Sequence, residues 1–478
     1  MTELAPANAA AWELLAAISQ KRGALEQAIA ACREGLAHVP DAPRLLYSLA
    51  QLLREDTDFA SSAEAYLQAQ RAGFDSPDLY RNRGEALLES GDPQGALACA
   101  REGTQRYPGH ALLQRNAARL HYEVAAPGDP LDELHTAARA VKTDPALWQT
   151  LVELQRRLER HDEANAALAE ARRLGCPDSP GLLTLEAQAL ALAGDNSGAT
   201  RRFDALLAGF PDDVSVKINF AMHALSALDP ARAAQLCEQV LQGNPYDQLA
   251  LTFLGTAWQL LDDPREHWLL DYETMVRPVP IPVPEGFADR ESFFLALTEA
   301  LEDLHRTGAH PIEQSVRGGT QTNGFLFRLK HPLLFTLEGQ IRRAIMTAME
   351  SFPEDSEHPF WSRRYRAPTG DGLRFAGAWS VRLRGQGYHT NHIHPEGWVS
   401  SALYVSLPDE VTQGDDTAGH IQFGAPMKEL GLDLPPRRIV KPEVGSLVLF
   451  PSYMWHGTIP FESEQPRITV AFDLLPER

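Results

Sequence analysis

Histidine is concentrated at one place in this chain: His389, His392 and His394 stand within six residues, in Gly387-Tyr-His-Thr-Asn-His-Ile-His-Pro-Glu-Gly-Trp398. A neutral imidazole is the commonest protein metal ligand. On a strand, His392 and His394 project from one face, because side chains alternate with a period of two. Such a pair needs a third ligand from a distant element. His456, in Leu-Phe-Pro-Ser-Tyr-Met-Trp-His-Gly, follows the apolar run Gly445–Phe450 and is placed to supply it. His389 falls off that face and reads as a residue behind the ligands or at the surface. Eleven residues past His456 comes Arg467-Ile-Thr469, with both polar side chains on one face of an apolar segment. An Arg directed into an interior is costly unless it meets an anion, and its planar fork suits a carboxylate. Tyr404 adds a hydroxyl to the same region.

These side chains need a frame. From Phe375 onward, short apolar runs are separated by Gly, Pro and Asp. The predicted strands are Ala376–Leu383, Trp398–Val405, His420–Phe423, Ser446–Phe450 and Ile468–Leu474. Their spacing and turn signals argue for a sandwich or barrel, here a jelly roll. Trp379, Trp398 and Trp455 read as core or pocket walls. Arg382 and Arg384 give one strand a basic face, with two readings: contact with substrate or, the favoured one, pairing with surface carboxylates. Upstream, the apolar spacing predicts helices over 289–306 and about 332–351. The glycines between them lack phosphate-loop spacing, so a nucleotide site is rejected. The stretch 276–286, Val-Arg-Pro-Val-Pro-Ile-Pro-Val-Pro-Glu-Gly, reads as an extended linker and a domain boundary.

Before the linker the chain is repetitive. Small residues recur at Ala16, Ala50, Gly84, Ala118, Ala187, Ala221 and Gly255, at multiples of 34 with one single-residue slip. A second series, Ala28, Ala96, Ala164, Ala199 and Ala233, follows about 12 residues later, and Pro40, Pro108, Pro145, Pro211 and Pro245 close units. Small residues on two helices let them cross closely, and a proline ends the second. About seven helix–turn–helix units fit residues 9–245, with a closing helical segment from Tyr246 to about Tyr272. Pro127, Gly128 and Pro130 stretch the turn of the fourth unit. Cys32, Cys99 and Cys237 take apolar slots on second helices.

The balance of 44 Lys and Arg against 64 Asp and Glu leaves a formal charge of −20 over 478 residues. So acidic a chain argues against nucleic acid or anionic membrane as partner. No apolar run approaches the ~18 residues of a membrane helix, and the first residues lack a signal-peptide pattern, so a cytoplasmic location is expected. Four cysteines make no disulfide framework. All precede residue 240, so the C-terminal chemistry uses no thiols.

The repeat pattern resembles the tetratricopeptide repeat. In that family the slot two residues before the small position faces a groove, and Asn82, Asn116 and Asn219 occupy it here. With Arg81 and Arg115 beside them, these amides imply a groove for an extended peptide. The C-terminal order His-x-His, Tyr, His, Arg-x-Thr resembles the Fe(II)/2-oxoglutarate oxygenases of the prolyl-4-hydroxylase-like branch. The resemblance is strongest to bacterial proteins that join such a domain to tetratricopeptide repeats. It covers about 310–478, and His392–Pro395 and Gly445–His456 carry it together with Gly385-Gln-Gly-Tyr388.

The implied architecture is a two-part α+β chain: a repeat solenoid over 1–272, a linker with a bridging helix over 273–309, and a double-stranded β-helix with flanking helices over 310–478. Fe(II), 2-oxoglutarate and O2 are implied as metal, cosubstrate and oxidant, with ascorbate as a supporting reductant. Arg467, Thr469 and Tyr404 are implied to bind 2-oxoglutarate. The family's triad ordinarily includes one carboxylate, whereas the corresponding slot here holds His394. Two ligand sets therefore stand open: His392, His394 and His456, or a set in which Glu396 supplies the carboxylate. The implied activity is hydroxylation of a peptide or protein side chain led in by the repeats. The alternatives are an interaction scaffold with a metal-binding or sensing domain, and a small-molecule hydroxylase. Neither the substrate nor the oligomeric state is legible.

Overall fold

In the helical half each turn is written into the sequence. First helices end in a left-handed residue, among them Thr57, Gly91, Gly194 and Leu228. An Asp follows each of these four and caps the second helix: Asp58, Asp92, Asp195 and Asp229 accept from backbone N–H groups three residues on. Such caps contribute roughly 1 kcal/mol each. The computed structural model describes residues 6–306, 309–366, 373–414 and 416–476. Within it, seven helix pairs run from Ala9–Lys21 with Leu25–His38 to Val214–Ser226 with Pro230–Gly243, followed by Gln248–Leu260, Arg265–Leu269 and Tyr272–Met275. Both series of small residues are buried where helices cross. The fourth turn is long, from Glu123 to Asp132, and its second helix is only nine residues. Pro145 differs from expectation: it opens helix Pro145–Arg157, a position where its missing N–H is no loss. All four cysteines are free and buried, and burial pushes the Cys32 thiol up to about 12.

The chain divides into two compact units. One holds Met1–Pro177 with Arg306–Gly308 and Arg328–Lys330; the other holds Asp178–His305, Ala309–Phe327 and His331–Arg478. The division therefore falls inside the repeats, and the last helix pairs belong to the same unit as the strands.

The strands are β1 (Arg277–Pro280), β2 (Val316–Gln321), β3 (Arg374–His389), β4 (Val399–Ser406), β5 (Ile421–Phe423), β6 (Arg438–Val440), β7 (Ser446–Pro451), β8 (His456–Thr458) and β9 (Ser463–Leu475). A six-stranded sheet has the order β1-β7-β4-β9-β3-β2, and a three-stranded sheet has the order β6-β5-β8. Every pairing is antiparallel. The apolar runs read from sequence lie in β3, β4, β5, β7 and β9. The expected linker contains β1, whose Pro278 and Pro280 are exposed on an edge strand, where a missing donor is tolerated. Polar β2 forms the other edge, and its pairing shifts at Gly318, which takes φ +66°. Helix Arg290–Glu302, begun by a capping box at Asp289, buries Phe293, Phe294, Leu297 and Leu301 and packs beside β4. Helix Pro332–Glu350 packs beside β1. No described helix is long and apolar enough to cross a membrane.

Candidate metal centre

His392 and His394 do not lie on a strand as expected. They occupy the loop between β3 and β4, and His392 makes an isolated two-bond bridge with His456 at the start of β8. Pro395 directly after His394 has no N–H with which to continue a ladder. The pair nevertheless faces one way, with the two Nε2 atoms 3.1 Å apart. The ligand nitrogens of His392, His394 and His456 all lie within 4.8 Å of one another.

The opposite ring nitrogens explain this convergence. The Nδ1–H of His392 donates to Thr390 O at 2.7 Å, that of His456 to Met454 O at 2.9 Å, and that of His394 to Asp473 at 2.7 and 2.8 Å. These acceptors fix the protons on Nδ1 and leave Nε2 lone pairs directed at one point. Burial first, then the neighbouring imidazoles, holds His392 down to about 3 and His456 well below its usual range. Neutral rings whose lone pairs face each other cannot satisfy one another, whereas a divalent cation satisfies all three. The donor set thus fits a metal ion that takes imidazole nitrogen. Phe450 packs 4.5 Å from the His456 ring, and Trp379 stacks on His394 at 5.6 Å.

Asp473 was not anticipated. It lies on β9, is buried, and also accepts from Ser400 Oγ at 2.6 Å. A lone acid inside the apolar run Phe472-Asp473-Leu474 was the available signal, since a buried carboxylate requires partners. Glu396 sits on the exposed turn after His394 and lines the cavity, outside the group whose ligand atoms converge. His389 faces the cavity and reaches His392 through Ser315 Oγ, at 3.0 and 3.2 Å.

Along β9, every second residue from Arg467 through Thr469 and Ala471 to Asp473 lines the same cavity of about 330 Å3. Residues of both sheets enclose it, including Val381, Ile421 and Thr458. Arg467 is 2% exposed, with its guanidinium carbon 5.1 Å from the Tyr404 ring. Its Nε and the Tyr404 hydroxyl are buried without a hydrogen-bond partner of good geometry. Burial lowers Arg467 from the usual range and pushes Tyr404 up to about 12. Thr469 sits beside Tyr404 in the β4–β9 register. Arg382 pairs with Glu302 at 3.3 Å, as its basic strand face suggested.

The repeat residues differ from the expectation of freely offered amides. Asn82 is buried, and its Nδ2 donates to the Tyr47 hydroxyl at 2.9 Å. Asn116 is buried and accepts from Arg119 at 2.9 Å, while its Nδ2 has no partner. Asn219 donates to Ser215 O and accepts from Gln188, both at 2.8 Å. Arg81 pairs with Asp78 and Glu85, and Arg115 with Glu153. Residues of the same helix (Arg119, Ser215, Asp78 and Glu85) and of neighbouring first helices (Tyr47, Gln188 and Glu153) take up this polarity.

Residues 377–473 match the family described as "Putative 2OG-Fe(II) oxygenase", and residues 20–77 and 47–111 match the tetratricopeptide repeat. Among solved structures, PilF of Pseudomonas aeruginosa is similar at 17% identity and TM-score 0.29, covering 44% of this chain and 94% of that one. A tetratricopeptide repeat protein of Parabacteroides merdae is similar at 13% identity and TM-score 0.35, covering 52% and 98%. No curated protein sequence matches the chain. The chain thus carries tetratricopeptide repeats in its N-terminal part and an oxygenase domain of that description in its C-terminal part.

Proposed function

We propose that His392, His394 and His456 hold Fe(II), that Arg467, Thr469 and Tyr404 bind 2-oxoglutarate, and that the protein hydroxylates a peptide or protein side chain. One observation carries the reading: three imidazole lone pairs and a buried guanidinium whose Nε lacks a partner line a single cavity. When bound, Fe(II) with O2 and 2-oxoglutarate supplies the oxidant that converts a C–H bond to C–OH, with succinate and CO2 as coproducts.

The chain's own residues perform the rest. Asp473 keeps the His394 proton on Nδ1, so Nε2 stays available. Arg467 offers a charged fork to the distal carboxylate of 2-oxoglutarate, with the hydroxyls of Thr469 and Tyr404 beside it. Both are buried on the sheet, so the anion is held away from bulk water, where its pairing with Arg is strongest. Three neutral ligands leave the metal charge undiminished, which favours an anionic cosubstrate. Trp379 and Glu396 line the cavity and are placed to meet the substrate. Tetratricopeptide repeats support a protein partner; that this partner is the hydroxylated chain, held beside Asn82, Asn116 and Asn219, is part of the proposal.

The test is succinate formation from 2-oxoglutarate by the purified chain with Fe(II), O2 and ascorbate, with and without candidate peptides. Turnover lost in both His456→Ala and Arg467→Ala is the expected result. No succinate from the wild-type chain under any of these conditions counts against an enzyme and for the interaction scaffold.

A further inference from the structure

Helix Gln248–Leu260 closes the repeat array, and nearly all of it is buried: Ala250, Leu251, Phe253, Leu254, Ala257 and Trp258, with Thr252 and Thr256 among them. A terminal solenoid helix ordinarily keeps a polar outer face. Here that face meets the loop between β7 and β8, which leads into His456. The Thr252 hydroxyl lies 2.7 Å from both Gln248 O and Tyr453 O, and Thr256 Oγ1 accepts from Trp455 Nε1 at 3.0 Å while donating to Thr252 O at 2.9 Å. Just beyond the helix, Leu269 O accepts from the Tyr453 hydroxyl at 2.9 Å. Both flanks of Met454 are therefore pinned, and Tyr453, Met454 and Trp455 are at most 4% exposed. Met454 O is the acceptor that orients the His456 ring through Nδ1.

We propose that this repeat helix is a working part of the histidine site: Thr252 and Thr256 are positioning residues that fix the Met454 carbonyl and, through it, the ring plane of His456. The proposal rests on reading the triad as a metal site. The arrangement explains two β-branched residues in one buried helix, where their propensity is poor and an aliphatic residue would pack as well. If the Met454 carbonyl swings, the His456 ring turns with its proton and Nε2 leaves the point shared with His392 and His394. Losing partners that orient a metal-ligating histidine typically weakens affinity about 10–100-fold.

The experiment titrates Co(II) into the full chain and follows its visible absorption. The Thr252→Val/Thr256→Val double variant, native by circular dichroism, should bind Co(II) about tenfold or more weakly with shifted bands. The Thr252→Ser/Thr256→Ser variant, which restores the hydroxyls, should recover both. Equal affinity and an unchanged spectrum in the valine variant overturn the proposal. Should that variant fail to fold, hydrogen exchange of the wild-type chain decides. Co(II) at about a hundred times its Kd should slow amides of 250–258 by about tenfold or more and leave helix Ala9–Lys21 unchanged. No slowing overturns the proposal as well. A wild-type chain that binds no Co(II) refutes the metal reading itself, and this inference with it.

Discussion

Arg467 makes a prediction with opposite signs in two assays. In the ligand-free protein it is a guanidinium 2% exposed on β9, with no carboxylate paired to it among the described residues and its Nε unsatisfied. An uncompensated buried charge costs several kcal/mol after relaxation. The Tyr404 ring at 5.1 Å returns up to about 2 kcal/mol of this as a desolvated cation–π contact. Replacing Arg467 by Met keeps the aliphatic stem and removes the charge, so the apo protein should gain about 1–3 kcal/mol. At about 2–4 °C per kcal/mol for a large domain, the melting temperature rises measurably. Binding of 2-oxoglutarate should move the other way. Two charge-assisted hydrogen bonds at about 1.5–3 kcal/mol each amount to a loss of about 10²–10⁴ in affinity. The assay pairs thermal melts of metal-free protein with calorimetric titration of 2-oxoglutarate into the Ni(II)-loaded form. Arg467→Met melting below wild type, or binding 2-oxoglutarate equally well, would refute the argument that this cation awaits an anion.

The other predictions follow from local geometry. Glu396→Gln should leave Co(II) affinity within about twofold, whereas His394→Ala should weaken it by more than about a hundredfold; the reverse ranking in a Co(II) titration would place the carboxylate on the metal. Leu228 is 71% exposed at φ +58°. Leu228→Gly removes left-handed strain and little packing, and should raise stability by about 1 kcal/mol in urea unfolding. Its failure to do so would mean that the strain is relieved elsewhere. His305 is held between Thr320 Oγ1 at 2.8 Å and Ser380 Oγ at 3.1 Å, and burial lowers it to about 4. A depressed histidine binds its proton more weakly folded than unfolded, so its contribution is complete above about pH 6.5 and is lost as pH falls toward 4. It amounts to at most about 3 kcal/mol. His305→Gln should flatten the stability–pH slope over that window, and an unaltered slope would assign the acid loss to other groups.

What could be read from the sequence followed from periodicity and from residue types that are expensive to bury. The repeat spacing and the small-residue series located the helix pairs because close crossing tolerates only small side chains. Arg467 stood out because an Arg in an apolar strand demands an anion. Strands β1 and β2 were hidden because their stability comes from one neighbour rather than from their own composition: Pro278 and Pro280 read as linker, and Gly318 and Gly319 carry no strand signal. Asp473 was hidden for a related reason. Its meaning depends on His394, 79 residues earlier in the chain, which only the folded chain brings to 2.7 Å. The hydrogen bonds of Asn82 to Tyr47 and of Asn219 to Gln188 were not legible, since those partners lie on neighbouring helices.

On the proposed three-histidine reading, Asp473 takes over the charge that a carboxylate among the ligands would supply. A ligating carboxylate contributes one negative charge next to the metal. Asp473 contributes the same charge one imidazole further out, through the His394 Nδ1–H bond at 2.7 Å, which raises the basicity of that ligand. With Fe(II) in the triad, the metal and the two buried charges, Arg467 and Asp473, sum to two positive charges, which the dianion of 2-oxoglutarate neutralises, while Glu396 is exposed to water. Without the dianion the cavity would retain both charges in a poorly solvated space, an unfavourable state. Metal and cosubstrate should therefore bind cooperatively: 2-oxoglutarate should tighten Co(II) binding to the wild-type chain. Asp473→Asn should weaken Co(II) binding in the absence of 2-oxoglutarate by about tenfold or more. Because that variant leaves three positive charges for the dianion to offset, the tightening by 2-oxoglutarate should become larger. A tightening that shrinks would mean that Asp473 acts only by orienting His394 and not through its charge.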